Sequence, residues 1–440
     1  TYGCQMNKND SERIAGMLAS FGFREVDAPE AADVVLMNSC SVRQTAEDRV
    51  FGLMTRFRTL KEQNPELVIG VTGCLPGRDR DGKLRAKLPE ADLFFPIADL
   101  PKLPGWLAEF FPELVNTEEL ADDYLKAPPL RQGIRQALVT IQTGCRKFCT
   151  YCVVPFSRGL VRNRPLADIL SEIRILAKGG CLEVTLLGQT VNSYRAPDAE
   201  RFSANNPFHD HFAALLWEVN QIPGLRRLHF TAPHPLHMTD EVIEAMAWPC
   251  HVNFIHLPVQ SGDNEVLRRM NRRYTVEQYL ETVGKLRRRL PYLAVGTDII
   301  VGFCGETEEQ FARTVELYRQ VEFDISYTAM YSPRSGTAAH RALADTVSRE
   351  EKRRRWRALQ EVMEEIVLRK NQRYVGKTVE VLVERFEPPG ICFGNSREMK
   401  MVQFSGAEDL VGQIVSVKVV KAREWILEGE RDGGAKASYG

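Results

Sequence analysis

The sequence has no excess of either charge: 58 Lys and Arg stand against 58 Asp and Glu in 440 residues. It therefore lacks the global basic field by which many nucleic-acid-binding proteins declare themselves. It has no long apolar run either. Nothing approaches the ~18 residues that a membrane-spanning helix needs, so the expectation is no membrane partner. The opening, TYGCQMNKNDSE, reads as the end of a strand running into a turn and not as a secretory signal. Cysteine is too sparse for a disulfide scaffold, ten in the whole chain, and part of it is tightly clustered. That usage favours a reduced, intracellular, metal-binding role, and a cytoplasmic location is expected. No internal repeat is evident, and the length predicts about two to four domains.

The chain divides by texture. Residues 1–127 alternate helix and strand patterns: Ile14, Met17, Leu18 and Phe21 recur at helical spacing, with Asn9, Asp10 and Ser11 as cap candidates and Gly22 as the stop. DVVLMNSC and LVIGVTGC are short continuous apolar runs, as in strands buried on both faces of a parallel sheet. ADDYLKAPPLRQG reads as a linker. Residues 131–369 hold six strand candidates, ALVTIQ, LEVTLLG, RLHFTAP, VNFIHLPVQ, AVGTDIIVG and ISYTAMYS, with helices between them. Pro165 fits a first helical position, and Thr275 with Gln278 and Thr307 with Gln310 look like capping boxes. About six βα units argue for a partial (βα)6 barrel, with its chemistry on the face where the strands end. A long basic helix opens at Ser348. Residues 371–431 have period-two strands, a small all-β barrel, and residues 432–440 read as a disordered tail. The class is α/β, with a Rossmann-like amino-terminal domain before the barrel.

GCRKFCTYC places Cys145, Cys149 and Cys152 in a C-x3-C-x2-C run. Short thiolate spacing of this kind suits an iron–sulfur cluster. A zinc site would need a fourth ligand supplied by folding, since the nearest histidine in sequence is His209. From Arg131 to Arg164 there are seven basic residues and no acidic one, so the motif lies in a local positive island. Cys4, Cys40 and Cys74 each stand where a predicted strand finishes. The carboxyl ends of parallel strands share one edge of a sheet, so these three thiols can converge as a second three-thiolate site. Cys181, Cys250, Cys304 and Cys392 have no partners at ligand spacing and read as structural.

C-x3-C-x2-C followed by a (βα) barrel resembles the radical S-adenosylmethionine (SAM) superfamily. With GCQMN, NSCSVR, LLGQTVNSY, HLPVQSG, TDIIVGFCGETEEQF and YSPRSGT, nearly the whole chain resembles the methylthiotransferase family. That resemblance implies two 4Fe-4S clusters, with SAM bound and cleaved at Cys145, Cys149 and Cys152 and sulfur donated from an auxiliary cluster on Cys4, Cys40 and Cys74. It implies SAM contacts at Tyr151, Gly188 and Gln189, and a carboxy-terminal RNA-binding TRAM barrel. GCQMN and SVR, from Ser41 to Arg43, look most like the branch that methylthiolates isopentenylated adenosine beside the tRNA anticodon. The rival substrates are threonylcarbamoyl-adenosine of tRNA and a ribosomal-protein aspartate; the rival class is a non-catalytic zinc- and RNA-binding protein. The implied partners are a tRNA anticodon stem-loop and an electron donor such as flavodoxin or ferredoxin, with the chain a monomer. Arg158, Arg162 and Arg164 are candidates for RNA phosphate, SAM carboxylate or plain surface charge. KRRRWR on the long helix is either an RNA stripe or a helix face paired with glutamates. Cys304 stands where the family commonly has proline, and SPRSGTAAH and the stretch after Cys74 also depart from its pattern, which leaves substrate choice open.

Overall fold

The first helix, α1 (Gln5–Ser20), begins before the cap candidates Asn9, Asp10 and Ser11. Cys4 is its N-cap, and the Asn7 side chain accepts from the Cys4 amide at 3.4 Å. Asn9 and Asp10 are buried and spend their oxygens on other parts of the chain: Thr140 donates to Asn9 at 2.8 Å and Arg158 to Asp10 at 2.5 Å. In this computed structural model the described residues are 1–42, 44–113, 123–131 and 133–431. Arg43, part of the linker and the tail expected to be disordered at 432–440 lie outside them.

After α1 come β1 (Val34–Ser39), α2 (Gln44–Gln63), β2 (Val68–Gly73), the short α3 (Cys74–Arg78), β3 (Leu93–Pro96) and α4 (Leu103–Ala108). The three strands form a parallel sheet in the order β1-β2-β3, and Tyr2 adds a parallel bridge to Ser39. All of them therefore end at one edge. The described middle of the linker is packed. Tyr124, Leu125 and Ala127 are buried in the core of this domain, and the carbonyls of Leu125 and Ala127 accept from Arg13 Nη1 at 2.8 and 2.6 Å. Arg13 is itself 1% exposed, and a buried guanidinium needs such acceptors.

The six predicted barrel strands all form. β4 (Gln136–Thr140) is followed by a two-residue hairpin pair, β5 (Gln142–Thr143) and β6 (Arg162–Asn163), which brackets the cysteine loop and the short α5 (Val154–Ser157). Then α6 (Leu166–Lys178), β7 (Glu183–Leu187), α7 (His211–Asn220), β8 (Arg227–Phe230), α8 (Asp240–Ala245), β9 (Phe254–His256), α9 (Asn264–Arg269), α10 (Val276–Arg289), β10 (Ala294–Val301), α11 (Glu308–Val321), β11 (Ile325–Met330), α12 (Ala338–Ala342) and α13 (Arg349–Gln372) complete it. The strands pair as two parallel sheets, β4-β7-β8 and β11-β10-β9, joined by a bridge between Leu228 and His251. Pro165 is the N-cap of α6, one position earlier than expected. Both capping boxes are present on α10 and α11.

α13 runs directly into a closed five-stranded barrel made of β12 (Thr378–Glu387), β13 (Ile391–Ser396), β14 (Met401–Ser405), β15 (Ile414–Ala422) and β16 (Leu427–Arg431). It seats on the residues that begin the strands of the larger barrel. Buried Arg227 meets Glu183 at 3.0 Å and donates to the carbonyls of Asn395 and Ser396 at 2.9 and 2.6 Å. Lys400 pairs with Asp324 at 3.1 Å, and Arg397 donates to His251 O at 2.7 Å. The opposite, strand-ending face is left to the cysteines.

Candidate functional site: two cysteine trios

Cys4 stands just past the Tyr2 bridge, Cys40 just past β1, and Cys74 opens α3 directly after β2. Parallel pairing of β1 with β2 aligns Ser39 with Gly73, which places Cys40 and Cys74 side by side. Cys40 and Cys74 are buried and Cys4 lies at the solvent-facing rim. The thiols are close enough to perturb one another. Contact with Cys40 draws Cys4 and Cys74 down to about 6, and the same contacts push Cys40 well above the ordinary thiol range. This is a trio that can carry thiolate at neutral pH. Val42 N donates to Cys40 Sγ at 3.2 Å and Arg158 Nε donates to Cys74 Sγ at 3.2 Å.

The second trio sits in the loop between β5 and β6. Gly144 begins it at φ +74°, and a Cβ there would lie 2.2 Å from Leu160 O, so only glycine lets the hairpin close over the loop. Each sulfur has a donor. Lys147 N reaches Cys145 Sγ at 3.4 Å, Val154 N reaches Cys152 Sγ at 3.5 Å, and Arg272 Nη1 reaches Cys149 Sγ at 3.4 Å. Thr190 Oγ1 is 3.5 Å from Cys145 Sγ. Burial, with Cys149 second, pushes Cys152 up to about 12. Arg272 is held in place by Tyr274 OH at 3.0 Å and Pro258 O at 3.3 Å. The sequence carries no signal for it, because 123 residues separate it from Cys149.

The two trios are neighbours. α3 begins at Cys74 and α5 begins two residues after Cys152, and these short helices pack on each other. A Cβ on Gly77 would lie 2.1 Å from Ser157 O, so the approach depends on glycine. Around it, Arg78 bridges the domains, pairing with Glu47 at 2.8 Å and donating to Ser335 Oγ at 2.8 Å. Arg334, in the loop after β11, donates to Val42 O at 3.2 Å.

Among the described residues, no three His, Cys, Asp or Glu side chains converge tightly enough for one metal ion. A cubane cluster asks for something wider, because each thiolate binds a different iron. Trios of free cysteines with a hydrogen-bond donor at most sulfurs fit that group better than a single zinc ion.

Gly188 and Gln189 follow β7, and Thr190 beside them touches Cys145. Gln189 Oε1 is buried with no hydrogen-bond partner among the described residues, an acceptor available to an ammonium group next to the cysteine loop. Tyr151 packs edge-on against Phe303 at 6.4 Å between centroids, and burial raises its phenol well above the ordinary value. Its visible role is to anchor the loop. Farther down the barrel, His256 Nε2 lies 3.1 Å from Asp298 Oδ1 across β9 and β10.

The positive island proves largely neutralised. Arg158 is bound to Asp10, Arg162 to Asp123, and both Arg164 and Arg131 to Glu172. Arg158 is buried on Asp10 and Arg164 is held by Glu172, so neither is an open phosphate site, while Arg162 is a surface arginine paired with Asp123. Three of the five basic residues of the helix stripe are paired, Lys352 with Asp345, Arg354 with Glu351 and Glu308, and Arg355 with Glu306, while Arg353 and Arg357 are exposed. Cys181, Cys304 and Cys392 are buried and Cys250 is half-buried.

Three family models match the chain: the Radical SAM superfamily over residues 139–318, Uncharacterized protein family UPF0004 over 1–96, and the TRAM domain over 372–431. A curated protein named tRNA-2-methylthio-N(6)-dimethylallyladenosine synthase from Geobacillus thermodenitrificans is 41% identical over 438 residues, covering 98% of this chain and 82% of that one. The protein of the same name from Carboxydothermus hydrogenoformans is 43% identical over 439 residues, covering 98% and 97%. A solved radical S-adenosylmethionine methyltransferase, TsrM from Kitasatospora setae, is 15% identical, with a TM-score of 0.48 over 74% of this chain and 65% of that one.

Proposed function

The chain belongs to the radical SAM methylthiotransferases whose curated members are named tRNA-2-methylthio-N(6)-dimethylallyladenosine synthase, and from that premise we propose how its residues divide the work. The reaction is conversion of isopentenylated adenosine beside the tRNA anticodon to its 2-methylthio form, with SAM and 4Fe-4S clusters as cofactors. We assign Cys145, Cys149 and Cys152 to the SAM-binding cluster and Cys4, Cys40 and Cys74 to the auxiliary one. The observation that carries this assignment is the packing of α3 on α5, which sets the two trios side by side. When bound, SAM at the first cluster supplies the radical that an unactivated aromatic C–H bond requires, and the second cluster supplies sulfur.

The chain's own part is to hold, orient and exclude water. Amide and guanidinium donors at 3.2 to 3.5 Å lower the cost of gathering thiolates in a buried loop. The free acceptor of Gln189 suits the SAM ammonium, and Gly188 keeps its turn clear of side chain. Tyr151 and Phe303 wall the cysteine loop against solvent.

The TRAM barrel at the strand-starting end lies across the molecule from the trios, an arrangement suited to a long substrate such as tRNA. No helix among the described residues is long and apolar enough to cross a membrane. A cytoplasmic monomer reduced by a small carrier such as flavodoxin or ferredoxin completes the proposal.

Nucleoside mass spectrometry tests it. A strain that makes dimethylallyladenosine but lacks its own methylthiolating enzymes should gain the 2-methylthio nucleoside in tRNA when supplied with this chain, and not with the Cys40→Ala variant. Methylthiolation of threonylcarbamoyl-adenosine alone, or of a ribosomal protein alone, would refute the substrate assignment.

A further inference from the structure

Arg158 belongs to the barrel yet serves the amino-terminal trio. It caps α5, six residues after Cys152, and crosses the domain boundary with a side chain 2% exposed. Nε donates to Cys74 Sγ at 3.2 Å, and Nη2 donates to Asp10 Oδ2 at 2.5 Å. Burial works against its charge, but Asp10 and Cys74 outweigh that and hold it protonated. Two polar atoms here are buried without hydrogen-bond partners among the described residues: Arg158 Nη1 and Asp10 Oδ1. Tyr124 lies close enough to act electrostatically on both residues.

An unpaired donor in a fully buried guanidinium is costly, and folded proteins rarely keep one without a partner to come. The partner must be an acceptor that suits a cation: the unpaired Oδ1 of Asp10 is one candidate, and a sulfide of an iron–sulfur cluster on Cys74, which Nε of the same guanidinium already holds, is the other.

We propose that Arg158 is a positioning residue of the auxiliary site: it grips Cys74 with Nε, offers Nη1 to a cluster sulfide, and thereby sets that cluster's reduction potential from the neighbouring domain. This rests on the assignment of Cys4, Cys40 and Cys74 to a cluster. Reduction adds an electron to the cluster, and a buried cation at hydrogen-bond distance stabilises the reduced state. Asp10 opposes it, being a buried anion on the same guanidinium.

The two charges predict opposite shifts. The test uses the full chain with Cys145, Cys149 and Cys152 all replaced by alanine, reconstituted anaerobically, so that only the auxiliary cluster is read by electron paramagnetic resonance during a redox titration. That background should hold about four irons per chain. On it, Arg158→Gln should move the midpoint potential down, Asp10→Asn should move it up, and Arg158→Lys should fall between native and Arg158→Gln. Unchanged potentials with the iron retained would overturn the proposal while leaving the cluster assignment standing. A background that binds no iron would overturn the assignment, and the proposal with it. Should Arg158→Gln fail to keep its cluster, the Asp10→Asn titration decides: an upward shift supports the proposal, and none refutes it.

Discussion

At the scale of single residues, position decides what a glycine is worth. Gly77 meets Ser157 O where its Cβ would be, at 2.1 Å, while Gly52 in α2 has nothing within 4 Å. Gly77→Ala forces α3 away from α5 and should destabilise by about 1–3 kcal/mol, the usual cost of overpacking. Gly52→Ala only relieves the entropic penalty of a mid-helix glycine and should stabilise by about 0.5–1 kcal/mol. Urea unfolding midpoints moving in opposite directions would bear this out; a neutral Gly77→Ala would mean the two helices can separate freely. The position of Cys4, Cys40 and Cys74 at strand ends was legible from the apolar runs before Cys40 and Cys74, and the loop of Cys145, Cys149 and Cys152 from its spacing. Their second layer was not. Arg158 and Cys74 are 84 residues apart and Arg272 and Cys149 are 123 apart, and nothing local marks either pair. The local charge count over Arg131 to Arg164 left out the acidic partners, Asp10 because it is 148 residues from Arg158, and Asp123 and Glu172 because they lie just outside the window.

Elements follow local rules where neighbours do not compete for the same groups. The Thr307 hydroxyl accepts from Gln310 N at 3.3 Å and the Gln310 side chain accepts from Thr307 N at 3.0 Å, the reciprocal pair expected at the start of α11. Thr307→Ala should cost about 1 kcal/mol of stability. Denaturant titration checks this, and a loss below a few tenths would show that tertiary packing alone fixes the helix start. α1 breaks the rule instructively. Its polar residues Asn9 and Asp10 look like caps but are drawn into buried contacts with Thr140 and Arg158, leaving the cap to Cys4. Four strands escaped sequence reading: the two-residue pair β5 and β6, β3 because Leu93–Pro96 is only four residues long, and β13 because Gly394 and Asn395 interrupt its alternation.

For the whole molecule, the division of ends matters most. The six strands of the large barrel finish toward the cysteines and begin against the five-stranded barrel, where Arg227, Lys400 and Arg397 hold the junction. The five-stranded barrel and the cysteine trios are thereby separated by the length of the strands. The chemistry itself is drawn together at a domain boundary, by α3 and α5 and by the Arg78 and Arg334 bridges. Two adjacent trios, each holding its own cluster, are the premise of everything functional here. Iron and acid-labile sulfide analysis after anaerobic reconstitution tests it most directly. The native chain should carry about eight irons and eight sulfides, and replacing either trio by alanine should leave about four of each. A native chain that stops at about four irons, or that takes up zinc in place of iron, would contradict the account.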